Sequence, residues 1–126
     1  MLTRIKNAQA RGHQEVILPF SKMLFGIAQI LKKAGFVGEI NKIKKKKRGS
    51  DLEFISIKLK YEDGIGVIKG VKLISKPSRR IYVGKDDLRP VREGYGISVI
   101  STPKGLMTGD EARKAGIGGE MICEVW

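Results

Sequence analysis

GYGISVISTPKGLMTGDEARKAGIGGEMICEVW, residues 94–126, is the stretch around which the chain is organised. Ile97 to Ile100 is apolar and β-branched enough to form a strand, and Ser101-Thr102-Pro103-Lys104-Gly105 is a turn rich in hydroxyls. Thr108-Gly109-Asp110-Glu111 has the spacing of a capping box, in which the Thr108 hydroxyl covers the Glu111 amide and Glu111 reaches back to the Thr108 amide. Met107 and Ala112 stand where a hydrophobic staple would, and Gly116 suits a left-handed helix stop. The Gly118-Gly119 pair then turns the chain into a closing strand, Met121 to Trp126. The short helix is architecture. It returns the chain so that the 101–105 turn and Gly118-Gly119-Glu120 approach one another.

Upstream, Arg79 to Val83 reads as a strand with Arg80 and Tyr82 on one side, and Asp86-Asp87-Leu88-Arg89-Pro90 as a turn or single helical turn. Ile65 to Ile74 is apolar with interspersed glycine and lysine, and Lys76-Pro77-Ser78 interrupts it. Glu62-Asp63-Gly64 is the expected boundary between two halves. In the first half, Leu2, Ile5 and Ala8 share one face of a short helix, while Arg4, Asn7 and Arg11 share another and Gly12 ends it. Glu15 to Phe20 alternates as a strand, and Ser21 offers a cap for a helix over 22–34 whose stripe is Leu24, Ile27, Ala28 and Leu31. Phe36 to Ile43 and Leu52 to Tyr61 are two further strands, the second with Ile55, Ile57, Leu59 and Tyr61 on one face. The expected fold is α+β in two packed modules: α-β-α-β-β over 1–63, and mostly antiparallel β with one short helix over 64–126.

Charge is the strongest compositional signal. Lys and Arg number 25 against 13 Asp and Glu, a net charge of +12, which points to a polyanionic partner. Residues 1–60 carry 14 basic and 4 acidic side chains and residues 61–126 carry 11 and 9, so the attractive field is concentrated in the first half. Six of the seven residues from Lys42 to Arg48 are basic, and Arg48-Gly49-Ser50-Asp51 has hairpin-turn chemistry. Lys44, Lys45, Lys46 and Lys47 therefore belong at a protruding tip, either as a solvated, edge-protecting charge run or, the favoured reading, as a phosphate-binding element in which a polyanion relieves their mutual repulsion. Arg4, Asn7 and Arg11 form a second candidate phosphate face.

Selectivity is expected from the second half. Ser101 and Thr102 each donate and accept hydrogen bonds, which suits base edges, 2′-hydroxyls and phosphate oxygens, and Lys104 adds a cation to the same turn. Gly105, Gly118 and Gly119 permit close backbone approach. Glu120 either accepts from nucleotide amino or hydroxyl groups or orients a neighbouring cation. Arg80 and Tyr82 mix charge and aromatic surface in a way that suits RNA, with a core role for Tyr82 as the alternative.

Met-Leu-Thr-Arg-Ile at 1–5, Arg80-Ile81-Tyr82, and Ser-Thr-x-Lys-Gly, Met-Thr, Ala-Arg-Lys-Ala-Gly and Gly-Gly-Glu within 94–126 together resemble the family of ribosomal small-subunit protein eight, in its bacterial and organellar form. The resemblance covers essentially the whole chain. It implies direct binding to the central domain of small-subunit rRNA as an early assembly step, with Ser101, Thr102 and Gly105 in the RNA-contacting loop and Gly118, Gly119 and Glu120 beside it. It also implies neighbouring small-subunit ribosomal proteins as partners and a cytoplasmic, ribosome-bound location. Two features depart from the family pattern. Pro103 stands where a second serine is usual, removing a hydroxyl and an amide donor, and the family usually begins a few residues earlier, with an Asp-Pro segment.

The rival readings are an enzyme and a generic RNA- or DNA-binding module or translational regulator. His13 is the single histidine and Cys123 the single cysteine, and no phosphate-loop, dinucleotide-binding or nucleophile-elbow motif occurs. Neither a cofactor nor a small-molecule substrate is expected. Gly116-Ile117-Gly118-Gly119 formally matches the loop of a KH domain, but that loop joins two helices and a strand is expected here. No apolar run approaches the roughly 20 residues of a membrane span, and no helix pairs a strong apolar face with a lysine-rich one, so a membrane partner is not expected.

Overall fold

The computed structural model describes residues 2–76, 78–88 and 96–126 and falls into two compact units, residues 1–68 and 69–126. The first is a three-stranded antiparallel sheet with two helices. Its elements are α1 (Leu2–Ala10), β1 (Glu15–Pro19), α2 (Lys22–Lys33), β2 (Val37–Lys47) and β3 (Ser50–Leu59), followed by a hairpin of β4 (Tyr61–Glu62) and β5 (Ile65–Gly66). Strand order is β1-β3-β2. Val16 pairs with Ile57 and Leu18 with Ile55, so these four side chains share one sheet face, because directly opposed residues project to the same side. All are buried, as are Leu2, Ile5 and Ala8 of α1 and Ile27, Ala28 and Leu31 of α2. Removing a fully buried aliphatic side chain such as Ile57 would cost about 2–5 kcal/mol.

Local chemistry fixes the boundaries. The Ser21 hydroxyl accepts from the Leu24 amide at 3.0 Å and caps α2, a contact of about 1 kcal/mol. Two turns carry left-handed residues in succession, Arg48 (φ 53°) with Gly49 (φ 78°) and Asp63 (φ 51°) with Gly64 (φ 78°). That is the arrangement whose twist matches a tight antiparallel hairpin. Asp63-Gly64 thus forms the turn of the β4–β5 hairpin inside the first unit. Gln9 ties that end of the unit to α1: its Nε2 donates to the Ile68 carbonyl at 2.7 Å and its Oε1 accepts from the Ile68 amide at 3.2 Å.

The second unit is an antiparallel sheet ordered β6-β10-β8-β9, with β7 also paired to β10. Its strands are β6 (Val71–Leu73), β7 (Tyr82–Val83), β8 (Ile97–Thr102), β9 (Gly105–Thr108) and β10 (Gly119–Val125), and its helix is α3 (Gly109–Ala115). A 3-10 turn, Lys85–Asp87, follows β7. Ile100 pairs with Met121 on one side and Met107 on the other, and this row packs with Ala112 of α3 and Leu88 in a hydrophobic cluster. The Thr108 hydroxyl accepts from the Glu111 amide at 3.2 Å. The return contact differs from the expected capping box: Glu111 accepts from the Thr108 hydroxyl at 3.3 Å and not from its amide. Strand β9 itself is absent from the sequence reading, and β8 runs two residues further, so that Ser101 and Thr102 are strand residues and only Pro103 and Lys104 turn. The expected turn residues Arg89 and Pro90 lie outside the described residues.

Candidate nucleic-acid interface

Strand register assembles the site in the second unit. Glu120 lies opposite Ser101 across the β10–β8 ladder and opposite Tyr82 across the β10–β7 ladder. Tyr82, Glu120 and Ser101 therefore form one cross-strand row, with side chains on the face opposite Ile100 and α3. Tyr82 is 71% exposed, which excludes a core role. Arg80 Nη1 donates to both Glu120 oxygens, at 3.0 and 3.4 Å. The Glu120 side chain is only 13% exposed while that of Arg80 is 57% exposed. The hydrogen bond to Glu120, and then the carboxylate charge, hold the Arg80 guanidinium above its ordinary pKa. Glu120 thus orients a cation, the second of the two roles its position suggested. An exposed phenol, a fixed guanidinium and the Ser101 hydroxyl, which has no partner among the described residues, stand in a row across one face of the sheet, from β7 over β10 to β8. This combination can stack on a base or sugar, hold a phosphate and accept or donate to a 2′-hydroxyl.

The remaining loop residues have internal work. Thr102 is 8% exposed, and its hydroxyl accepts from the Lys104 amide at 3.1 Å while donating to the Gly105 carbonyl at 2.8 Å. It shapes the turn. Its neighbour Ser101 points to the opposite face. The glycines are required by the protein's own backbone: a Cβ on Gly118 would strike the Val83 carbonyl, and one on Gly119 the Ser101 carbonyl. At Gly105 no atom lies close by, and its φ of +112° is the reason for glycine. Lys104 is exposed at the tip.

In the first unit, Arg4, Asn7 and Arg11 do come together. With Ala8, His13 and Val16 they line a shallow cavity of about 250 Å³, and Arg4 is steadied by donating to the Ile17 carbonyl at 3.3 Å. His13 is the member that sequence reasoning left out; it lies just past the Gly12 stop (φ +74°) that turns the chain back over the helix end.

The lysine hairpin is less uniform than a run of four lysines suggests. Lys44 lies opposite Glu53 and Lys46 opposite Asp51, while Lys45 lies opposite Leu52 and the Lys47 backbone opposite Ser50. Strand alternation puts Lys44 and Lys46 on one face beside carboxylates, and Lys45 on the other, with its Nζ 5.7 Å from the Phe54 ring. Lys42 is drawn back against Phe20 and Phe25, at 4.5 and 5.2 Å from their ring centres, a cation–π placement. The hairpin therefore offers two faces of different charge density.

Cys123 is fully buried, and burial raises its thiol pKa to about 12. Among the described residues no group of three or more His, Cys, Asp or Glu side chains could hold a metal ion. No helix among them is long and apolar enough to cross a membrane. Gly116 (φ +71°) ends α3 and β10 follows at Gly119, so the loop between them joins helix to strand, unlike that of a KH domain.

Comparison with known proteins gives one answer over the full length. The family model for ribosomal protein S8 matches residues 1–126. Small ribosomal subunit protein uS8 of Caldicellulosiruptor bescii is 50% identical over 127 residues, covering 100% of this chain and 93% of that protein. The uS8 proteins of Kosmotoga olearia and Persephonella marina are 48% and 46% identical, again across 100% of this chain and 94% of each relative.

Proposed function

The chain belongs to the ribosomal protein S8 family, a family of structural, non-enzymatic ribosome components, and from that membership we propose that it binds directly to the central domain of small-subunit rRNA and helps that domain assemble. The observation that carries the reading is the cross-strand row Tyr82–Glu120–Ser101, with Arg80 clamped on Glu120. Such a row reads an irregular RNA helix by stacking and by hydroxyl and phosphate contacts, which is how proteins distinguish RNA from DNA and bulged from regular duplex. In this reading the Arg4–Asn7–Arg11 cavity and the Lys44–Lys47 hairpin supply sequence-independent attraction. Thr102, Gly105, Gly118 and Gly119 hold Ser101 and Glu120 in position. Neighbouring small-subunit proteins complete the set of partners, and the working location is the cytoplasmic ribosome.

The test is equilibrium binding of the full chain to a central-domain rRNA fragment and to an unrelated duplex of equal length. The unaltered protein should prefer the fragment. Ser101→Ala should reduce that preference about fivefold, the equivalent of about 1 kcal/mol for one hydrogen bond, with little change towards the unrelated duplex. Equal binding of the unaltered protein to both RNAs would overturn the ribosomal reading and favour a generic nucleic-acid-binding module.

A further inference from the structure

The second unit carries a strongly basic element that the overall charge count conceals. Residues 64–85 contain no Asp or Glu and six cations, Lys69, Lys72, Lys76, Arg79, Arg80 and Lys85. Three of them, Lys72, Lys76 and Arg79, line a groove of about 310 Å³ together with Leu73, Ile74 and Ile81. The groove sits on the β6 edge of the sheet, where Leu73 is 51% exposed. Glu124 lies opposite Lys72 in the ladder, but among the described residues no carboxylate comes within ion-pair distance of Lys72, Lys76 or Arg79.

The described residues on either side of Pro77 are fastened by hydrogen bonds. Lys76 and Arg79 exchange backbone hydrogen bonds at 2.8 and 2.9 Å. The Ser75 hydroxyl donates to the Ile81 carbonyl at 3.4 Å and accepts from its amide at 3.0 Å. Both ends are fastened to β10, through Ile74 N to Ile122 O at 3.0 Å and Met121 N to Ile81 O at 2.9 Å. Residues fastened in this way lose little conformational entropy when their cations engage a ligand. Three cations without carboxylate partners over a partly apolar floor match a phosphodiester backbone with sugars between its phosphates.

We infer that the Lys72–Lys76–Arg79 groove is a second RNA-backbone site, occupied by phosphates of the same RNA strand or helix that the Tyr82–Glu120–Ser101 row reads. The inference rests on the RNA-binding reading above, but it concerns affinity and not selectivity. It gives the second unit its own electrostatic attraction, adjacent in sequence to the selective row through Arg80 and Tyr82.

The experiment measures binding of the full chain to the central-domain fragment and to the unrelated duplex across a salt series. It compares unaltered protein, Lys76→Ala with Arg79→Ala, and a charge-matched control, Lys33→Ala with Lys114→Ala, on the exposed sides of α2 and α3. All positions are exposed, and thermal melts confirm that each variant folds. The groove variant should bind both RNAs about tenfold more weakly at 0.1 M salt, and its slope of log K against log salt should be shallower by about two than that of the unaltered protein. The control should change the slope by much less. Equal slopes for the groove variant and the control overturn the inference even when the unaltered protein prefers the central-domain fragment. Loss of incorporation into small subunits with unchanged RNA binding also overturns it, and assigns the groove to a protein neighbour. Conversely, absence of preference for the fragment, with a shallower slope in the groove variant alone, retains the groove while rejecting the ribosomal specificity.

Discussion

Two adjacent residues with similar chemistry, Ser101 and Thr102, have opposite physical roles because they alternate across a strand. Thr102→Val removes a hydroxyl that bonds both the Lys104 amide and the Gly105 carbonyl, and should lower stability by about 1 kcal/mol. Ser101→Ala should leave the melting temperature nearly unchanged while eroding RNA preference, so the pair separates scaffold from contact. Gly119→Ala presses a methyl group on the Ser101 carbonyl and should cost about 1–3 kcal/mol, with RNA selectivity falling in parallel as Ser101 is displaced. Sequence alone names Ser101, Thr102 and Gly119 as candidates, but hydroxyls and glycines look alike until register fixes their faces. Tyr82 is similar: a lone aromatic between basic residues fits a core or a surface, and only its 71% exposure decides. At Cys123 the pH effect has a definite sign. Burial raises the folded thiol pKa from 9.0 to about 12, so between those values the unfolded chain loses a proton that the folded chain keeps. Its contribution to stability is intact below pH 9 and declines as pH rises towards 12. Denaturant titrations of the wild type and Cys123→Ala across that window check this, the difference between them shrinking with rising pH.

Among the elements, helices and hairpin turns are the most legible because each has a local cause. Ser21 and Thr108 cap α2 and α3, and Arg48-Gly49 turns the β2–β3 hairpin. Thr108→Ala should destabilise the protein by about 1 kcal/mol by exposing the first turn of α3. Strand β9 escaped sequence reading since Gly105-Leu106-Met107-Thr108 has neither alternation nor length, and it exists only through its pairing with β8. The lysine hairpin was legible as a charged tip but not as two faces, because a run of identical residues hides strand alternation. With Lys44 beside Glu53 and Lys45 beside Leu52, Lys45→Ala should flatten the salt dependence of RNA binding by about one unit, and Lys44→Ala by less.

Across the whole molecule, α+β order and antiparallel pairing follow from hydrophobic period and turn chemistry, whereas the distribution of charge does not follow from a count by halves. The second half sums to little because residues 61–63 and 86–126 carry nine acidic against five basic side chains and so offset the six cations of residues 64–85, although the two groups occupy different stretches of the chain. Replacing all four lysines from Lys44 to Lys47 by alanine should therefore weaken binding to every RNA without abolishing salt dependence, the residual slope residing in the groove and the Arg4–Arg11 cavity. Strand β10 shows how this arrangement is kept. Its pairing with β8 skips a residue between Met121 and Cys123, so Ile122 is one residue more than a regular ladder needs, and its carbonyl holds Ile74 at the root of the basic loop. A deletion of Ile122 would preserve which side chains face the core, Met121 still meeting Ile100 and Cys123 still meeting Val99, yet would remove one of the two β10 anchors of that loop. The bulge is thus a place where loss of a single codon could spare the fold and alter the grip on RNA.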